Sequence, residues 1–149
     1  MLTITRTQAT NPDFLRLVSA LNADLAQRDG ADHAFYAQFN SSASLTQVVV
    51  AYIDGQAAAC GAIKPLSTDC MEVKRMYTAP EHRSKGLASA VLTELEQWAR
   101  ELSYASCRLE TGKRQPEAIQ LYQKNGYRQI PNYGQYAGVE NSVCFEKEL

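Results

Sequence analysis

Leu87, Ala88, Val91, Leu92, Leu95, Trp98, Ala99 and Leu102 recur at three- and four-residue spacing and make one continuous apolar stripe. Such a stripe predicts an amphipathic helix from about Gly86 to Leu102 that must pack against something apolar. A strand-like run, CMEVKRMYTAP (Cys70–Pro80), precedes it, and a second, ASCRLETG, follows it. Two strands joined through a helical crossover lie parallel in one sheet. This unit alone excludes an all-α or all-β chain and demands helix packed on sheet.

The other segments extend that sheet. LTITR (Leu2–Arg6) reads as a first strand. Asn11 then offers a helix cap with Pro12 at the first helical position, and Phe14, Leu17, Val18, Leu21 and Leu25 carry a helix to about Arg28. RDGADHAFYAQF breaks it, with a second short helix expected over Ala34–Phe39. In TQVVVAYIDGQAAACGAIK, two apolar runs flank Asp54-Gly55, the signature of a type I′ hairpin. QPEAIQLYQKNG reads as a helix with Pro116 near its start and Gly126 beyond its end, and YRQI and SVCFEKEL read as the last strands. The expected order is β-α-(α)-β-β-β-α-β-α-β-β, a mixed α/β (α+β) sheet in one domain spanning 1–149.

Composition narrows the classes. A length of 149 residues, 45% hydrophobic and 21% charged, suits one domain with a real core and argues against disorder or a membrane span. The opening MLTITRTQATNPDF has no long apolar run, so a cytoplasmic protein is expected. A formal net charge of −1 makes no general case for nucleic acid. Cys60, Cys70, Cys107 and Cys144 include no C-x-x-C pair, and with two histidines a metal site is not expected; the cysteines read as small core residues in a reducing compartment. The NSS at Asn40 matches a glycosylation pattern that means little without a secretion signal.

The stretch HRSKGLASAV, His82 to Val91, opens the central helix with the wrong charges. Helix N-termini carry free N–H groups and partial positive charge, so carboxylates usually sit there. Here no Asp or Glu lies between Glu81 and Glu94, while Arg83 and Lys85 add positive charge. The arrangement makes sense if an outside anion binds, with Gly86, Ala88 and Ser89 keeping the approach open. It is neither a G-x-x-x-x-G-K-[ST] loop nor a G-x-G-x-x-G fingerprint.

Arg83-Ser84-Lys85-Gly86-Leu87-Ala88 does fit R-x-x-G-x-A. That resembles the [QR]-x-x-G-x-[GA] signature of the GNAT superfamily of N-acetyltransferases. MYTAPEHRSKGLASAVL is similar to that family's strand, loop and pyrophosphate helix, and PEAIQLYQKNGY (Pro116–Tyr127) to its later A-x-x-L-Y-x-[KR]-x-G-[FY] block. The resemblance spans nearly the whole chain and is strongest from Glu72 to Tyr127. It implies a GNAT-like fold in which two central parallel strands, Cys70–Thr78 and Ser106–Thr111, splay apart to admit acetyl-CoA. By the same resemblance, the pyrophosphate meets the backbone of Arg83, Ser84, Lys85, Gly86, Leu87 and Ala88, with Ser89 close. The pantetheine arm pairs with Met76, Tyr77 and Thr78. Gln115 stands where many members carry a cofactor-contacting Asn, which puts that contact in doubt.

The implied reaction sets its own demands. An alkyl ammonium of pKa ~10.4 must lose a proton before it attacks, which costs about 4.6 kcal/mol at neutral pH. A carboxylate acting through water can take that proton. Glu72 matches the position of the glutamate base in histone-modifying members, with pairing to Lys74 as its structural alternative and Glu110 as a second candidate. A backbone N–H near Met76 would serve the oxyanion. Tyr122 matches the family's general acid; a phenol of pKa ~10 protonating a thiolate of pKa ~8.5 works uphill by about 2 kcal/mol. The acceptor side is expected from DHAFYAQF and NYGQYAGVEN, which supply His33, Phe35, Tyr36, Tyr133, Tyr136 and Glu140, joined by Glu110. Aromatic and acidic groups suit a cationic amine. The resemblance therefore implies acetyl transfer to a primary amine of a small molecule. It leaves open a peptide or protein acceptor, a non-catalytic CoA-binding module and a homodimer.

Overall fold

The computed structural model describes residues 1–30 and 45–149. The expected helix over Ala34–Phe39, and His33, Phe35 and Tyr36 with it, lie outside the described residues. The described order is β1 (Leu2–Thr7), α1 (Pro12–Asp29), β2 (Gln47–Ile53), β3 (Gln56–Pro65), β4 (Cys70–Thr78), α2 (Leu87–Glu101), β5 (Ser106–Gly112), α3 (Pro116–Lys124), β6 (Arg128–Ile130) and β7 (Ser142–Glu148). Short 3₁₀ turns stand at Pro80–His82 and Gly134–Tyr136.

Local chemistry explains the element ends. The Asn11 side chain accepts from the Asp13 and Phe14 backbone N–H groups at 2.9 and 3.1 Å, which starts α1. Asp54 and Gly55 both take positive φ, 48° and 84°, as a type I′ turn requires, and hold β2 to β3.

One seven-stranded sheet runs β1-β2-β3-β4-β5-β7-β6. Its β4–β5 pair is parallel and the other pairs are antiparallel. Alternation along the strands gives the sheet two faces. Val49, Ala51, Ala59, Ile63, Met71, Val73 and Leu109 pack with Leu87, Val91, Leu92, Leu95 and Ala99 of α2. Val48, Val50, Cys60 and Ala62 pack with Phe14, Leu17 and Val18 of α1 on the opposite face. The expected stripe of α2 is buried at Leu87, Val91, Leu92, Leu95 and Ala99, while Leu102, just past the helix end, is exposed. Glu96 is buried instead, because Lys147 Nζ of β7 donates to it at 2.9 Å.

Two irregularities shape the centre of the sheet. First, β4 and β5 pair only at Cys70↔Ser106, Met71↔Cys107 and Glu72↔Arg108, although β4 continues to Thr78 and β5 to Gly112. The strands diverge beyond Glu72, as the sequence expectation of splayed strands requires. Second, β4 bulges against β3: Ala62 faces Lys74 but Cys60 faces Tyr77, leaving Arg75 and Met76 without register partners. Arg75 takes φ 59° there. Gly61 lies across from the bulge because a Cβ at that position would stand 2.4 Å from Met76 Sδ and 3.0 Å from both Leu95 Cδ1 and Val91 Cγ1.

Candidate active site

The divergence of β4 and β5 opens a cleft of about 570 Å³. It is walled by β4 from Glu72 to Thr78, by the loop and first turn of α2, by Glu110 to Gly112 of β5, and by α3 at Gln115 and Tyr122.

At one end stands the N-terminus of α2. Gly86 is its N-cap with φ 77°, no side chain caps it, and no acidic residue occupies its first turn. The leading N–H groups of a helix lack intrahelical partners, so those of α2 remain available to a ligand. Ser84 also takes a positive φ of 64°, curling the loop. Arg83 is exposed; its Nε donates to the Thr78 carbonyl at 3.0 Å and its guanidinium lies over the Tyr77 ring. His82 is buried with Nδ1 unpartnered. Ser89 Oγ accepts from Asn125 Nδ2 at 3.1 Å, tying the start of α2 to the end of α3. This donor set, cationic and free of carboxylates, fits a diphosphate. Met76, Tyr77, Thr78, Arg83, Ser84, Gly86, Leu87, Ala88, Ser89 and Gln115 all line the cleft, whereas Lys85 is exposed outside its lining.

Midway along the cleft, side chains arrive from both faces of the sheet. Tyr122 comes from α3 and packs against the Tyr127 and Phe145 rings, 5.8 and 6.2 Å away between centroids. Its hydroxyl is held well above the ordinary phenol range, first by burial and then by the charge of Glu110. Glu72 and Glu110 alternate with core-facing Val73 and Leu109, so both project from the α1 face.

Glu72 is 3% exposed and accepts from the Tyr133 hydroxyl at 2.6 Å, while Lys74 Nζ stands 3.8 Å away. The expected Glu72–Lys74 pairing is therefore present, and the Tyr133 contact was not legible from strand spacing. Burial lowers the Lys74 ammonium pKa against the opposing pull of Glu72. Glu110 accepts from Ser142 Oγ at 2.7 Å, yet burial outweighs that bond and raises its carboxyl to about 7. Tyr136 is buried in the same lining and stands edge-on to Tyr133, 6.0 Å between centroids. Tyr133 itself reaches the site through Glu72 rather than lining the cleft. Tyr36 lies outside the described residues.

Sequence reasoning missed Arg75. It is 6% exposed, lines the cleft, and lies where the bulge interrupts strand alternation, so no period-two reading could assign it a face.

The acetyltransferase (GNAT) family model matches residues 14–127. The chain is 35% identical over 94 residues to the uncharacterized N-acetyltransferase YsnE of Bacillus subtilis, covering 62% of each protein. It is 34% identical over 103 residues to an IAA acetyltransferase of Azospirillum brasilense, covering 68% of this chain and 67% of that one. The first of these matches spans less than two thirds of its relative's length. Among solved structures, a provisionally named acyl-CoA N-acyltransferase from Klebsiella pneumoniae superposes with a TM-score of 0.84 at 32% identity, covering 100% of this chain and 98% of that one. PaiA N-acetyltransferase from Thermoplasma acidophilum, solved in complex with coenzyme A, gives a TM-score of 0.71 at 15% identity over 100% and 99% of the two chains, a likeness of fold.

Proposed function

The chain belongs to the GNAT acetyltransferase family, and from that premise we propose that it moves an acetyl group from acetyl-CoA to the primary amine of a small molecule. One observation carries the proposal: the cleft opened by the β4–β5 divergence joins a helix start free of carboxylates to a buried carboxyl, Glu72, a half-buried one, Glu110, and a phenol. Acetyl-CoA, when bound, supplies an acetyl group activated as a thioester.

The residues of the chain divide the remaining work. The uncapped N–H groups of α2 and the Arg83 guanidinium bind the diphosphate, and the β4 edge from Met76 to Thr78, unpaired with β5, offers backbone hydrogen bonds to an extended arm. Met76, outside the β3 register, offers an N–H to developing negative charge. Of the two carboxylates, Glu110 is the better base. Its pKa of about 7 lets it take a proton near neutral pH, whereas Glu72 already holds the Tyr133 hydroxyl. Tyr122, kept protonated by burial, donates a hydrogen bond or proton to the departing sulfur. Tyr133, turned inward onto Glu72, supports a small acceptor over a peptide groove.

The test is thiol release from acetyl-CoA across a panel of small amines and peptides. Turnover of small amines above the hydrolysis background is expected. CoA binding by calorimetry without thiol release from any amine would instead mark a non-catalytic CoA-binding module.

A further inference from the structure

Arg75 makes a demand that the chemistry above leaves unmet. Its side chain is buried on the α1 face of the sheet, where a guanidinium nitrogen donates to Asn22 Oδ1 of α1. Asn22 is neutral, so it offers no compensating charge. The Arg75 Nε is buried with no partner, and no carboxylate among the described residues pairs with the guanidinium. Stripping a guanidinium of water without supplying an anion costs several kcal/mol. Arginine stays charged under any ordinary condition, so the cost cannot be escaped by losing the proton. The group also lines the cleft. A buried, cleft-facing cation with an orphan donor is a site awaiting an anion.

The anion does not belong to the diphosphate. That group has its own donors at the start of α2, and α2 covers the opposite face of the sheet from α1. Arg75 also lies three residues back from the end of β4, about 10 Å along the strand. The α1 face is the one from which Glu72 and Glu110 project, the acceptor side of the proposed reaction. Those two carboxyls also limit the charge of the visitor, because a dianionic phosphate beside them would be repelled more strongly than a single carboxylate.

We propose that Arg75 binds a carboxylate on the acceptor, so that the substrate is an amino acid or another amine bearing one carboxylate. The inference rests on the amine-acetylation reading, and the experiment separates the two. Wild-type protein is assayed by thiol release with an amino acid, its carboxamide, its decarboxylated amine and a phosphate-bearing amine. In parallel, binding of the N-acetylated amino acid and its amide is measured by calorimetry with CoA present. The expected result is a kcat/KM about 100-fold higher for amino acids than for their amides, the order of a buried charge pair. Arg75→Gln brings that ratio near one, and Arg75→Lys keeps part of it. Equal use of amino acid and amide, preference for the phosphate-bearing amine, or an undiminished ratio in Arg75→Gln overturns the carboxylate site and leaves acetyl transfer standing. No thiol release from any amine, with Arg75-dependent binding of the N-acetylated amino acid, overturns acetyl transfer and leaves the site standing. If Arg75→Gln does not fold, the wild-type ratio and Arg75→Lys decide the matter.

Discussion

Glu110 and Tyr122 show how burial sets the chemistry of single residues. Both are desolvated, and burial is the largest cause of the upward shift in each. For Glu110 this brings the carboxyl to about 7, into the range of a useful base. kcat/KM should therefore rise with pH on a limb near 7, and Glu110→Gln should remove that limb and cost about 100-fold or more in turnover. The same shift has a stability consequence. The folded state holds the proton more tightly than the unfolded chain, so Glu110 reduces stability as pH rises from the ordinary carboxylate range through about 7. Urea midpoints at pH 5 and pH 8 should show Glu110→Gln gaining on wild type at the higher pH. For Tyr122 the raised pKa makes a reluctant acid that stays protonated. Tyr122→Phe should lower kcat by about 100-fold, at the low end for acid catalysis, with CoA affinity by calorimetry nearly unchanged. Wild-type turnover in that variant would end the acid role. The motif position of Tyr122 was legible from Leu121-Tyr122 in its helix, but its burial was not, because α3 alone does not say what covers it.

At the scale of an element, α2 combines two roles in one stretch. Its apolar side binds it to the sheet, and its unneutralised start is left for a ligand. The two can be separated by Gly86→Asp. At φ 77° any side chain is strained, but aspartate tolerates left-handed φ better than most residues and no atom lies within 4 Å of an added Cβ, so the helix should form with Tm lowered by only a few degrees. Its charge would stand where the diphosphate is proposed to bind, and CoA binding should disappear from calorimetry. Unchanged affinity would remove the anion argument. The missing carboxylates between Glu81 and Glu94, on which the proposed role rests, were legible in the linear chain. The β4 bulge was silent there. Met71-Glu72-Val73-Lys74-Arg75-Met76 reads as plain alternation until Arg75, and its extra residue becomes visible only against the register of β3.

Across the whole molecule, the last strand completes what the central crossover begins. β7 inserts between β5 and β6, brings Ser142 to Glu110, and sends Lys147 across to Glu96 of α2. Glu96 is 4% exposed, so Lys147→Met would strand a buried carboxylate. Denaturation at pH 7 should show a loss of about 3 kcal/mol, and adding Glu96→Gln should recover part of it; no recovery would show that packing rather than charge is at stake. Local chemistry was enough to determine the cap at Asn11, the hairpin at Asp54-Gly55, the apolar stripe of α2 and the lack of carboxylates at its start, because each depends on residues within a few positions of one another. The order of β7 and β6, the end of β4–β5 pairing at Glu72, the meeting of Tyr133 with Glu72 and the burial of Arg75 against Asn22 were decided only by the tertiary structure. Each joins groups separated by tens of residues, and burial and charge compensation there are properties of the packed chain, not of any stretch of it.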